Sequence, residues 1–168
     1  MRIRPVEREE WEALREVRLR ALAESPDAFG ETYAEAAALP DDDWRQRAGP
    51  LRSDGSHQCC VVVDDGHTFS GMTVGVLETP DTVHVYAMWV APEHRGRGLG
   101  RELVDAITAW ARELGARRLL LGVTETNGSA AAMYHACGFV PAGDDTYHLR
   151  AGSPLRCSRL VKELVADG

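Results

Sequence analysis

The passage VHVYAMWVAPEHRGRGLGRELV, residues 83–104, constrains this chain more than any other. It opens with β-branched and aromatic residues at a period of two, as a strand does, and closes on the start of an amphipathic helix. Between them stands Arg95-Gly96-Arg97-Gly98-Leu99-Gly100, three glycines alternating with larger residues. Glycine admits positive φ and close approach to the main chain, so successive N–H groups can turn into one concave nest at the helix start, where the backbone dipole also favours an anion. The passage predicts strand, phosphate-binding turn and helix, in that order. A P-loop would need G-x-x-x-x-G-K-[ST], and the one lysine of the chain is Lys162, near the C-terminus. The dinucleotide fingerprint G-x-G-x-x-G, read from Gly96, meets Arg101 at its sixth place. Walker and simple dinucleotide readings are thereby excluded, and the pattern that fits is R-x-x-G-x-G.

Periodicity supplies the flanking elements. Residues 1–6 read as a short extended start, and residues 7–23 as an amphipathic helix with Trp11, Leu14, Val17, Ala21 and Leu22 at helical spacing. Ser25-Pro26-Asp27 breaks it, and residues 28–38 predict a weaker helical stretch stopped by Pro40. Asp41-Asp42-Asp43 suits the positive end of a short helix reaching Ala48, and residues 49–56 are loop. From Gln58 the period drops to two, so residues 58–63 and 69–78 form a hairpin around Asp64-Asp65-Gly66. In the third strand, residues 82–90, alternation sets Thr82, His84, Tyr86 and Met88 against Val83, Val85, Ala87 and Trp89. Residues 98–115 carry Leu99, Leu103, Ala106, Ile107, Trp110 and Leu114 on one stripe, with Gly115 suited to end the helix. A buried strand at 118–123, a helix at 127–136, strands at 139–142 and 156–164 and a long turn containing Asp144-Asp145 complete the chain.

At 168 residues with 44% hydrophobic and 27% charged content, the chain predicts one globular domain over residues 1–168, excluding fibrous and disordered classes. A net charge of -7 argues against nucleic acid as partner. No apolar run reaches membrane-spanning length and the first residues are charged, so no membrane partner and a cytoplasmic location are expected. Cys59, Cys60, Cys137 and Cys157 show no C-x-x-C pair, and the six histidines no ligand spacing. Reduced thiols and no metal are the expectation.

RGRGLG after VAPEHRG, with ETNGSAAAMYHACGF about thirty residues on and GFVPAGDDTYHLRAGSPLRCSRLVKEL closing the chain, resembles the GNAT superfamily of acetyl-CoA-dependent N-acetyltransferases. The likeness spans nearly the whole chain. It implies a mixed α/β fold with a central, mostly antiparallel sheet of six or seven strands and helices on both faces. It implies that acetyl-CoA is the co-substrate and that the amides of Arg95, Gly96, Arg97, Gly98, Leu99 and Gly100 hold its pyrophosphate. Arg95, Arg97 and Arg101 are candidates for pairing with its phosphates. Pantetheine would lie in a gap opened by a bulge, against backbone near Met88, Trp89 and Val90, with an N–H near Val90 polarising the thioester. Asn127 would reach pantetheine, although an N-cap role accounts for it equally. By resemblance Tyr134, two helical turns further on, is the acid that protonates the departing thiolate.

The attacking ammonium must lose a proton. His84 lies eleven residues before Arg95, where the family's histone-acetylating branch carries a glutamate base, and its ordinary pKa near 6.5 suits the task. Glu78, Tyr86 and Glu125 are rivals for that role. Glu24, Glu31 and Tyr33 fall in the region lining the family's acceptor side and are candidates for gripping a cationic amine. Cys137, beside His135 and Tyr134, reads as a core filler, so direct transfer in a ternary complex is expected. The expected activity is acetyl transfer to a primary amine of a small molecule, the acidic balance favouring a polyamine-like one. A protein N-terminus or lysine, a non-catalytic acyl-CoA-binding domain and a homodimer stay open.

Overall fold

The structure, a computed structural model, describes residues 1–165 apart from the side chains at 144 and 145; the last part of the expected domain, residues 166–168, lies outside the described residues. Seven strands form one sheet: β1 (Arg2–Pro5), β2 (Gln58–Asp64), β3 (Phe69–Thr79), β4 (Thr82–Val90), β5 (Arg118–Thr124), β6 (Val140–His148) and β7 (Arg156–Glu163). Their spatial order is β1-β2-β3-β4-β5-β7-β6, and β4–β5 is the parallel pair in an otherwise antiparallel sheet. That exception has a covalent reason, because a parallel neighbour needs a crossover, here supplied by helix α4 (Leu99–Glu113). Helices α1 (Trp11–Glu24), α2 (Tyr33–Ala37) and α3 (Asp41–Ala48) precede β2, and α5 (Gly128–Ala136) precedes β6.

Two apolar layers flank the sheet. Leu14, Val17, Ala21 and Leu22 of α1 and Trp44 of α3 pack with Val62 and Trp89 on one side. Leu103, Ile107 and Ala111 of α4 pack with Val63, Val83, Leu119 and Phe139 on the other. Helix α4 lies so close to β3 that a Cβ at Gly75 would stand 3.0 Å from the Trp110 ring and 3.1 Å from Ile107. Ile107 is fully buried there, and truncating it to Ala would cost about 2–5 kcal/mol.

Three elements have a boundary more than two residues from expectation. The first helix begins at Trp11 after a 3-10 turn at Arg8–Glu10, where the Glu10 carboxylate accepts the Glu7 N–H at 2.8 Å. The stretch expected helical over 28–38 has a 3-10 turn at Pro26–Ala28 and only α2, whose start Thr32 caps by accepting the Glu35 N–H. Strand β6 runs to His148 instead of stopping at 142, because pairing with β7 resumes at Thr146 after a register shift.

The bulge implied by the resemblance is present inside β4, and what departs from expectation is the simple alternation of its side chains. Val74 pairs with Tyr86, but Met72 pairs with Trp89, so Ala87 and Met88 together oppose Thr73. This is a β-bulge, and Ala87 takes φ 57°, the one non-glycine residue of positive φ among the described residues. The extra residue reverses the alternation. Met88 and Val90 pack on the α4 layer with Val83 and Val85, while Trp89 joins the α1 layer. The simple parity that grouped Met88 with His84 and Tyr86 therefore fails, since it assumed an unbroken period of two.

Candidate active site

The bulge coincides with a separation of strands. β4 pairs with β5 only from Thr82 to His84; beyond that β5 turns to β7, to which it is paired along its whole length. A gap opens between the C-terminal half of β4 and β5. The Ala91 N–H donates to Ser70 O at 2.8 Å, toward β3, so alternation turns the N–H and C=O of Val90 toward the gap. The Val90 carbonyl is taken by Arg95 Nε at 2.8 Å, and its N–H is left facing the opening. Trp89 is different. Its main chain pairs with Met72, and its buried indole Nε1 donates to Glu24 at 2.9 Å.

The turn after β4 is exposed and held in its shape by glycine. Gly96 has φ 77° and Gly98 φ 81°, with open space where a Cβ would stand in each, and Gly98 is the N-cap of α4. A side chain at either place would strain the main chain. The Leu99 side chain is buried in the α4 layer, so only its main chain is offered to a ligand. Arg95 is turned back onto Glu24, with Nη2 to Oε2 at 2.9 Å. Arg97 and Arg101 are exposed. A glycine-shaped turn thus leads from the end of β4 into α4, with Arg97 and Arg101 exposed on it.

A cleft of about 670 Å³ runs from this gap, past Met88, Asn127 and Tyr134, across His84 and Tyr86, to a far end walled by α1, α3 and the segment around Phe29. At the gap end, Asn127 caps α5 by accepting the Ala130 N–H at 3.2 Å. Tyr134 is 6% exposed, its ring edge-on to Phe139 at 5.6 Å, and its hydroxyl has no hydrogen-bond partner among the described residues. Burial pushes its phenol pKa up, so it stays a donor at neutral pH.

Midway along the cleft, three of the four residues considered as a base form one cluster. His84 Nδ1 faces Glu78 Oε2 at 3.4 Å, and the His84 ring stacks on Tyr86 with centroids 4.1 Å apart. The Tyr86 hydroxyl donates to the other oxygen of Glu78. Burial lowers the His84 pKa below the ordinary 6.5, Glu78 opposing and Arg159 adding to that effect. The imidazole is therefore neutral at pH 7. Donation from Nδ1 to Glu78 would leave the Nε2 lone pair available. Burial and Glu78 push the Tyr86 phenol up, which keeps it protonated. Glu125 stands apart, exposed, with its N–H donated to Arg156 O.

The acceptor-side candidates are placed differently from one another. Glu24 is occupied by Trp89 and Arg95 as above, and also accepts from Ser25. Tyr33 is half-exposed and outside the cleft lining. Glu31 lines the cleft but is shared by Arg18, at 3.1 Å, and Arg47, at 2.7 Å. Arg18, Arg47 and Gln58 were missed in the sequence. Arg18 carried a readable sign, since it interrupts the apolar stripe of α1 between Leu14 and Leu22 at four-residue spacing. Cys137 is buried with its thiol pKa raised, beside Met133 Sδ at 3.8 Å, which keeps it protonated and in the core.

The model of the acetyltransferase (GNAT) family matches residues 11–139. Among curated proteins, a mycothiol acetyltransferase of Beutenbergia cavernae is 35% identical over 136 residues, 79% of this chain and 43% of that protein. The N-acetyltransferase YobR of Bacillus subtilis is 38% identical over 61 residues, 36% of this chain and 25% of YobR. The chain spans less than half the length of these relatives. Among solved structures, yncA of Salmonella typhimurium, solved with its cofactor acetyl-CoA, superposes with a TM-score of 0.80 at 19% identity, covering 100% of this chain and 96% of that one. At that identity the likeness speaks for the fold, whereas the family match covers most of the sequence: the chain belongs to the GNAT acetyltransferase family.

Proposed function

We propose that the protein transfers an acetyl group from acetyl-CoA to the primary amine of a small molecule by direct attack in a ternary complex. One coincidence carries this reading. Met88 of β4 and Val123 and Thr124 of β5, which flank the gap, line one cleft with His84, Tyr86, Asn127 and Tyr134, and the glycine turn follows directly on β4. The residues present fit the coenzyme, since the left-handed glycines leave open space for a diphosphate and alternation turns the Val90 N–H toward the gap.

Bound acetyl-CoA supplies an activated acyl carbon. The chain's own groups do the rest. The turn from Gly96 to Gly100 binds the diphosphate, and Arg97 and Arg101 screen its charge, whereas Arg95 braces the turn against Glu24. The Val90 N–H donates to the carbonyl oxygen as negative charge develops on it. His84 takes a proton from the ammonium at Nε2, its tautomer fixed by Glu78. The neutral amine then forms the C–N bond as the C–S bond breaks, Tyr134 delivers its proton to the leaving sulfur, and the second proton shed by the acylated nitrogen restores the phenol. Most of the acceleration comes from holding amine and thioester together. Four free cysteines, and no helix long and apolar enough to cross a membrane among the described residues, support a cytoplasmic setting.

Calorimetry with coenzyme A, followed by thiol release from acetyl-CoA across an amine panel, tests the proposal. Saturable heat and amine-dependent release support it. Binding with release that never exceeds the amine-free blank replaces it with an acyl-CoA-binding module, and absence of binding at millimolar ligand removes it.

A further inference from the structure

The far end of the cleft has a charge opposite to that of the protein. With a net charge of -7 overall, the chain lines this end with Arg18, Arg47 and Arg52, while Glu31 is the one acid among the described lining residues. Glu31 is already shared. Both Arg18 Nε and Nη2 donate to its Oε2 at 3.1 Å, and Arg47 donates to both of its oxygens. Two guanidinium groups on one carboxylate leave a surplus positive charge, before Arg52 is considered.

Where that surplus sits makes it informative. The Arg18 side chain is 9% exposed, its guanidinium 4.6 Å over the Phe29 ring, and its Nη1 is buried without a hydrogen-bond partner. The Trp44 indole Nε1, under the neighbouring Arg47, is likewise buried and unpartnered. An unmatched buried cation costs free energy that a purely structural clamp would avoid by using a single arginine per carboxylate. Arg47, 40% exposed, and the exposed Arg52 bring the same surplus to the cleft surface. A cationic amine would meet repulsion here, and Glu31 has no free oxygen to offer it.

We propose that the acceptor is an amine that also bears an anionic group, a carboxylate or a phosphate ester, received by Arg47 and Arg52 and backed by Arg18. This rests on the acetyl-transfer reading and names the acceptor class within it. The anion anchors the far end of the molecule, and its amino group is presented toward His84. Leu14 and Phe29 line this same end, so an apolar group beside the anion is accommodated. The segment bearing Phe29 is fixed over the cleft by Arg150, which donates to the carbonyls of Pro26 at 2.7 Å and Phe29 at 2.9 Å.

The test uses matched amines with the full chain and saturating acetyl-CoA: amino acids against their carboxamides, and phosphoethanolamine against ethanolamine. The anionic member of at least one pair should be favoured in kcat/KM by about tenfold to hundredfold, the worth of a charge-assisted hydrogen bond or two. In Arg47→Gln that ratio should fall toward one through KM for the acceptor, with the coenzyme A-induced rise in Tm retained as evidence of folding. Arg52→Gln should lower the same ratio less. The two pair types tell carboxylate from phosphate. Neutral members favoured in every pair, an unchanged ratio in Arg47→Gln, or a raised KM for acetyl-CoA in place of the acceptor would overturn the inference while leaving acetyl transfer standing. If no pair is turned over, binding to the coenzyme A complex is read by thermal shift. A shift by the anionic member that Arg47→Gln abolishes supports the anion site and sinks acetyl transfer; absence of any shift overturns the anion site.

Discussion

The two ends of the cleft are built on opposite plans. At the proposed coenzyme end the proposed donors are main-chain groups of one continuous stretch, Val90 to Gly100, shaped by a bulge and two left-handed glycines. At the proposed acceptor end they are side chains from α1, α3 and one loop, separated by up to 34 positions between Arg18 and Arg52, with Arg18 and Arg47 drawn together around Glu31. Main-chain recognition tolerates change in side-chain identity, provided the dihedral angles are kept. Side-chain recognition changes with a single substitution. The molecule thus pairs an end fixed by geometry with an end free to vary in chemistry, which is what a family with one coenzyme and many acceptors requires.

Perturbing each end, and the chemical centre between them, breaks the comparison at different places. Tyr134→Phe should have the largest effect, lowering turnover by about 10³-fold, with coenzyme A affinity held within about twofold. Comparable losses in both would make the hydroxyl a binding group. His84→Gln should lower turnover by about 10²-fold and reshape the pH profile. In the wild type the lowered His84 pKa means that the rate falls only as the pH drops below 6.5, when the base becomes protonated. The unfolded chain takes up that proton first, so the same group destabilises the fold as pH falls through this region. A profile unaltered by the substitution would move the base elsewhere.

Gly98→Ala probes the main-chain end. At φ 81° an Ala is strained by about 1–2 kcal/mol, so coenzyme A affinity should weaken by about tenfold in calorimetry, with the acceptor preference intact. A shift in acceptor preference instead would show that the two ends are not independent. Smallest in effect, Arg150→Ala removes the ties to Pro26, Phe29 and Gly30 and should lower stability by about 1 kcal/mol, read from denaturant unfolding. Its KM for the amine should rise with that for acetyl-CoA unchanged, because the roof over the acceptor end alone is loosened.

Legibility in the sequence followed the same division. The turn RGRGLG, the apolar stripe of α4 and the Asn127 cap are local patterns, and each stands where spacing put it. His84, Tyr86 and Glu78 were identifiable as candidates, but not as one cluster, since their meeting depends on the register of β3 against β4. The acceptor end was hardly readable. Net charge pointed toward a cationic ligand, yet net charge sums the whole surface, whereas the cleft is lined by a handful of groups whose sign runs the other way.

The amino-acid order alone determined the family, the sequence of strands and helices and the glycine turn before α4, because glycine placement and hydrophobic period act over a few residues at a time. Tertiary structure alone decided that the bulge of β4 falls at Ala87 and so turns Met88 and Val90 to the α4 side, and that one glutamate is divided between Arg18 and Arg47. A bulge exists only relative to the partner strand, and a surplus of charge only relative to the groups packed around it. Both are set by contacts between distant parts of the chain.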